Sequence, residues 1–247
     1  LIQLLGRDKV YCVEDPGYSK IARIYASNNV KFCYAGMDDE GMKPEAVREC
    51  MADIVHISPT HHYPTGITMP VSRRFELLAW ANEKPDRYII EDDYDSEFRM
   101  TGKTIPTMKS IDISEKVIYM NTFSRTLTPT IRISYMVLPQ KLTDEYNKIK
   151  KYTNQTASKT EQIALAKYIN NGKLDVHLRK ARRICLEKSN LMLSNIKKYF
   201  GTSVKIVFNE TSLYVSLIFK DKTIDDSVIK KIDDALIKTM QFNKAEN

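Results

Sequence analysis

The chain has 247 residues, 43% of them hydrophobic and 28% charged, the composition of a soluble globular protein with room for one large α/β domain or a large and a small one. No apolar run approaches the roughly 18 residues that span a bilayer, and Leu1–Leu5 is too short, and lacks the basic lead, for a signal-peptide core. The net charge of +7 is uneven: residues 141–247 hold 21 Lys/Arg against 12 Asp/Glu, and residues 1–140 hold 17 against 19. A basic C-terminal part suits either a solvated lysine-rich surface or an acidic partner.

In chain order, short apolar runs predict strands at Val10–Glu14, Val30–Tyr34, Ile54–Ser58, Tyr88–Asp92, Val117–Thr122 and Ile131–Leu138. Helical segments fall between them at Tyr18–Ser27, Pro44–Met51 and Val71–Asn82; the last spaces Val71, Arg74, Phe75, Leu78 and Ala81 as a single buried stripe. This alternation predicts a mostly parallel sheet sandwiched by helices. After Pro139 the texture becomes helical, with Leu142–Tyr152, Thr160–Asn170 and Leu174–Phe200. On the longest of these, Lys188 interrupts the apolar stripe, so that face is only partly buried. Strands Val204–Phe208 and Leu213–Phe219 and a helix Ile224–Met240 close the chain. The expected division is a large α/β domain over 1–145, then connecting helices and a small α+β lobe over 146–247.

The four cysteines (Cys12, Cys33, Cys50, Cys185) are scattered without a Cys-x-x-Cys pair. That spacing argues against a zinc site or a disulfide framework and for a reducing cytoplasm. The Asn-x-Thr sequons at Asn154 and Asn209 are then without a role. His61 and His62 lack a suitably spaced third ligand, so no metal site is expected there.

Four short elements carry chemistry. Tyr88–Asp95 runs a buried strand into a cluster of carboxylates, and ligands of open α/β sheets sit beyond the carboxyl ends of strands. Thr122–Arg132 also follows a strand and offers hydroxyls and two guanidinium groups, which bind phosphate oxygens through charge-assisted hydrogen bonds. Tyr63-Pro64-Thr65-Gly66 and Asp15-Pro16-Gly17-Tyr18 are tight turns after the third and the first of those strands, respectively. Taken singly, each is also ordinary turn chemistry.

In this order and spacing the four resemble fold-type-I, pyridoxal-phosphate-dependent aminotransferases, and above all the effector domain of MocR regulators within the GntR family. The strings Pro59–Met69, Ile90–Phe98 and Ile133–Pro139 carry the resemblance, with Gly172–Arg183 and its His177-Leu178-Arg179 in support. The resemblance runs from about Leu1 to Phe219. It implies an aspartate-aminotransferase-like fold binding pyridoxal 5'-phosphate in a two-fold homodimer. Asp92 would pair with the pyridine nitrogen and Tyr94 with the ring's phenolic oxygen, while Thr122, Ser124 and Arg132 would hold the phosphate. Tyr18 would lie in the effector pocket, and Lys20 where some relatives meet an effector carboxylate. Tyr63 stands where metabolic aminotransferases carry an Asn beside the cofactor, which favours a regulator that senses an amino compound over a free-standing class I/II aminotransferase.

One departure is chemically severe. The family's Schiff-base lysine belongs at position 125, and this chain has Arg125. A guanidinium stays charged and is no nucleophile for an aldehyde, so normal transamination is not expected and the cofactor is expected to bind without a covalent bond. An engineered replacement, a degenerate sensor and a different ligand all remain open explanations. A Gly-Ser/Thr turn before the first helix, a late Arg for the ligand carboxylate and a helix-turn-helix head also have no counterpart in the sequence. Together with the absent initiator Met, they lead to the expectation that the chain is a piece of a longer regulator, whose DNA contacts belong to the helix-turn-helix part.

Overall fold

The structure, a computed structural model, describes residues 1–98, 105–152, 156–208 and 214–219. Its elements in order are α1 (Ile2–Leu5), β1 (Val10–Asp15), α2 (Ser19–Ser27), β2 (Lys31–Asp38), β3 (Gly41–Met42), α3 (Pro44–Glu49), β4 (Ile54–Ile57), α4 (Val71–Asn82), β5 (Tyr88–Asp92), α5 (Met108–Ile111), β6 (Val117–Thr122), α6 (Phe123–Thr126), β7 (Ser134–Val137), α7 (Gln140–Ile149), α8 (Lys159–Asn170), α9 (Lys173–Phe200), β8 (Val204–Val207) and β9 (Ser216–Phe219). The expected helix Ile224–Met240, and Leu213 at the start of the last expected strand, lie outside the described residues.

Seven strands form one sheet in the order β3-β2-β1-β4-β5-β6-β7; β8 and β9 form a separate antiparallel hairpin. The five central strands are parallel, and β3 and β7 add antiparallel edges. Both faces are covered, as the apolar runs require, because consecutive strand residues point to opposite sides. Val55 and Ile89 pack with Val47 of α3 and Leu77, Trp80 and Ala81 of α4. Their neighbours Ile54 and Ile90 pack with Leu5 of α1, Tyr25 of α2 and Leu142 of α7. Each fully buried aliphatic side chain here contributes about 1.5–3 kcal/mol of transfer free energy.

Three expectations need correction. The boundaries of α4 agree with the sequence, and Arg74, Leu78 and Ala81 of the expected stripe are buried, but Val71 and Phe75 are exposed and Arg73, Leu77 and Trp80 are buried in their place. The buried face is thus turned round the helix towards Arg73. Arg73 pairs with Asp38 and Glu40, and Arg74 donates only to backbone carbonyls. The strand expected from Ile131 starts at Ser134, because Pro129–Ile131 is a 3-10 turn capped by Thr128 and Arg132 is left-handed at φ 47. The strand expected from Val30 instead runs from Lys31 to Asp38 and turns into β3. On α9, Leu178 is buried while Lys188 and Met192 are exposed, so only part of that stripe is covered.

Among the described residues no helix is long and apolar enough to cross a membrane. All four cysteines are free thiols.

Candidate functional site

Strand order reverses between β1 and β4: β2 lies to one side of β1, and β4, β5 and β6 run off on the other. A reversal of this kind opens a crevice beyond the carboxyl ends of the two central strands. Here it is a cleft of about 360 Å³ lined by the turn after β1, from Glu14 to Ser19, together with Tyr34 and His56. Gly17 is required in that turn, because a Cβ there would lie 2.3 Å from the Glu14 carbonyl oxygen.

Parallel pairing carries the ends of β4, β5 and β6 to the same edge. Asp92 ends β5, and His56 Nε2 of β4 lies 3.7 Å from its carboxylate. His56 Nδ1 is hydrogen-bonded to the Tyr25 hydroxyl at 2.8 Å, so a helix on one face of the sheet fixes the ring beside Asp92. Tyr94 donates to the His61 carbonyl at 2.9 Å, and the Arg125 guanidinium lies 5.7 Å from the centre of its ring. Thr122 caps α6, accepting from Ser124 N–H at 3.1 Å and donating to the Ile133 carbonyl at 3.3 Å. That last contact and the Thr122–Ser134 register place Arg132 at the same edge, with its side chain exposed.

The turn after β4 adds aromatic walls. Tyr63 packs edge-on against Tyr18 at 5.8 Å and against Tyr214 at 5.5 Å. Lys20, on the first turn of α2, is exposed with its ammonium 5.9 Å from the Tyr18 ring. Thus Asp92, Tyr94, Thr122, Ser124, Arg125 and Arg132 share one edge of the sheet, and Tyr18, Lys20 and Tyr63 border it from the β1 and β4 turns.

Sequence reasoning missed several neighbours. Tyr214, before β9, stacks on His61 at 5.1 Å and donates to the His62 carbonyl at 3.3 Å. His61 hydrogen-bonds Asp95 through Nδ1 at 2.7 Å. His177 of α9 meets the Thr126 carbonyl at 2.9 Å, and Arg182 donates to the Glu97 carbonyl at 2.6 Å, so the long helix anchors both loops at this edge. The His177–Arg179 string was the available signal for the last of these; for Tyr214 no local signal existed.

Glu14 is the most perturbed acid of the cleft. Burial pushes its carboxyl up to about 8, with the Asp92 charge adding to the rise, although Ser58 N–H donates to it at 3.1 Å. His62 Nε2 lies 3.4 Å away, and burial lowers that imidazole to about 4. Glu14 therefore holds its proton more tightly folded than unfolded, so its stabilisation is complete below its ordinary value and is lost as pH rises towards 8. His62 acts in the opposite sense, but only below its usual 6.5. Between pH 6.5 and 8, urea unfolding should show the Glu14 contribution to stability falling by about 2 kcal/mol, and Glu14→Gln, which keeps a neutral hydrogen-bonding group, should remove that part of the slope and leave the smaller part due to Glu91, raised by burial to about 7. An equal slope in both proteins would assign the titration elsewhere.

No family model matches the chain. Its fold is that of the pyridoxal-phosphate-dependent aminotransferases: it superposes with a TM-score of 0.79 on a multiple substrate aminotransferase from Thermococcus profundus, 28% identical, covering 95% of this chain and 60% of that one. In sequence it is 36% identical over 204 residues to the uncharacterized HTH-type transcriptional regulator YdeL of Bacillus subtilis (strain 168), covering 83% of this chain. It is 29% identical over 226 residues to the probable rhizopine catabolism regulatory protein MocR of Rhizobium meliloti, covering 92% of this chain. The chain spans less than half the length of these relatives, 44% and 45%. It is an aminotransferase-like chain similar to those of MocR-type regulators.

Proposed function

We propose that this chain is the ligand-sensing part of a MocR-type transcription regulator of the cytoplasm. It holds pyridoxal phosphate without a covalent bond, and an amino compound bound beside Tyr18 and Lys20 is reported to a DNA-binding part of the full-length protein. The observation that carries the reading is the pairing of an intact ring-side acid, Asp92 buttressed by His56 and Tyr25, with Arg125 in the loop where a nucleophilic lysine would stand. The relatives being regulators favours this over a free-standing aminotransferase.

The donor set suits the cofactor. Asp92 supplies a carboxylate for a protonated ring nitrogen. Tyr94 supplies a phenol, now donating to the His61 carbonyl, with the Arg125 guanidinium 5.7 Å from the centre of its ring. Ser124, Arg125 and Arg132 supply a hydroxyl and two guanidiniums for a phosphate, which Arg engages through two parallel bonds. When bound, pyridoxal phosphate supplies an electron-withdrawing ring to an amino compound. Arg125 cannot give up a proton near neutral pH, so it contributes charge and not proton transfer. A second copy of the chain would close the cleft, in a two-fold dimer.

The test is titration of the full-length protein with pyridoxal phosphate, followed by absorbance. Reversible binding that dialysis removes and borohydride does not fix is the expected result. Asp92→Asn should weaken it by about 10- to 100-fold, the loss of one charge-assisted hydrogen bond. No spectral change at any concentration would overturn the cofactor reading, and amino-group transfer at an ordinary enzymatic rate would overturn the sensor reading.

A further inference from the structure

Cys12, Cys33 and Cys50 are far apart in sequence and adjacent in space. Cys12 on β1 and Cys33 on β2 are register partners in neighbouring parallel strands, so their side chains leave the sheet on one face. Cys50 follows α3, which lies on that face, and all three belong to the apolar cluster there. Their sulfur atoms all lie within 4.8 Å of one another. Cys12 is fully buried, and Cys33 and Cys50 are half-buried. The sequence spacing argued against a metal site; strand pairing supplies a proximity that spacing does not record.

We propose that these three thiols form a trigonal site for a soft metal ion, and that monovalent copper is the ion the donor set fits. Packing alone explains any one buried cysteine, which behaves as a small hydrophobe. Packing does not call for three sulfurs from three separate elements at a single point. Thiolates select soft ions such as monovalent copper and zinc. Zinc takes a fourth ligand, and among the described residues no His, Asp or Glu joins the three sulfurs. An ion centred among three sulfurs with metal–sulfur bonds of about 2.3 Å holds them roughly 4 Å apart, inside the span seen here.

Without the ion, the Cys33 and Cys50 thiols donate to the Tyr11 and Tyr34 carbonyls at 3.7 and 3.4 Å. On binding, the three S–H bonds break, three metal–sulfur bonds form in place of the ion's bonds to its carrier ligands, and the three protons leave to solvent, with no change of oxidation state.

The full-length protein, reduced and kept free of oxygen, should be titrated with monovalent copper as its acetonitrile complex against a chromogenic chelator. One ion per chain should bind, with an ultraviolet sulfur-to-copper band, and a thiol reagent should afterwards find Cys185 reactive and the other three protected. Cys33→Ser and Cys50→Ser, both half-buried and so tolerant of a hydroxyl, should each weaken retention by more than about 100-fold, beyond what loss of an outer-shell partner costs. Cys185→Ser should change nothing. Copper left wholly with the chelator, binding indifferent to Cys33→Ser, or oxidation to a disulfide in place of copper retention would each overturn the proposal. Tighter retention of zinc than of monovalent copper would overturn the choice of ion.

Discussion

Arg74→Met should destabilise the full-length protein by about 3–5 kcal/mol, the cost of removing one partner from a buried charged node. Arg74 has no exposed surface, yet it makes three hydrogen bonds to backbone carbonyls: Met69 at 3.0 Å, Pro59 at 2.9 Å and Pro106 at 2.6 Å. Two of those carbonyls bracket the loop that carries His61, His62 and Tyr63. The third precedes α5, whose first amides, Met108 and Lys109, donate to the buried Glu91 carboxylate at 2.8 and 2.9 Å. Burial raises Glu91 to about 7 against the pull of those amides and of the Arg74 charge. Methionine keeps the apolar stem and deletes the guanidinium, taking this donor from the Met69 and Pro106 carbonyls and the cation from Glu91, while the Pro59 carbonyl keeps only its bond from Met69 N–H. Each orphaned acceptor costs roughly 1–3 kcal/mol, though not additively. Against a total stability of about 5–15 kcal/mol, the loss should be evident as a large drop in the urea midpoint. Arg74→Lys, which keeps the charge but cannot span three carbonyls, should fall between. A methionine variant within about 1 kcal/mol of the parent would show that the loop is held by its other contacts.

The same residue shows where sequence reading stops. The bounds of α4, β5 and β6 are legible because each is an apolar segment bounded by turn formers, a local signal. Which face of α4 is buried is not local. Arg73 is drawn inward by Asp38 and Glu40 at the β2–β3 turn while Val71 and Phe75 stay exposed, so polarity misreports burial there. Strand β3 is two residues long, below any periodic signal, and the shortening of β7 depends on a capped turn. The site divides in the same way. Asp92, Tyr94 and the Thr122–Arg132 loop are legible because acids and hydroxyls at strand ends signal a ligand edge. His56 behind Asp92, Tyr214 on His61 and the Cys12–Cys33–Cys50 cluster come from strand order and from contacts between distant segments, which no local window along the sequence contains.

Arg125→Lys should convert reversible pyridoxal phosphate binding into covalent attachment, from none to about one cofactor per chain, provided the proposed site is correct. Position 125 follows β6 and its guanidinium lies against the Tyr94 ring, at the edge where Asp92 and Thr122 also end their strands. A lysine amine there can lose its proton and attack an aldehyde, which a guanidinium with a pKa above ~12 does not do. The full-length lysine variant should acquire a visible absorbance band with the cofactor, and borohydride should bleach it and leave one pyridoxyl group on a peptide containing position 125. Arg125→Gln, neutral and without a nucleophile, should bind reversibly at most and show neither band nor adduct. Should the lysine variant bind the cofactor only reversibly, the cleft is right and position 125 is not its attachment point. Should neither the parent nor the variant bind it, the anion held by Ser124, Arg125 and Arg132 belongs to another phosphate ester. Should the lysine variant also gain amino-group transfer, the single guanidinium is what separates this chain from the enzymes whose fold it shares.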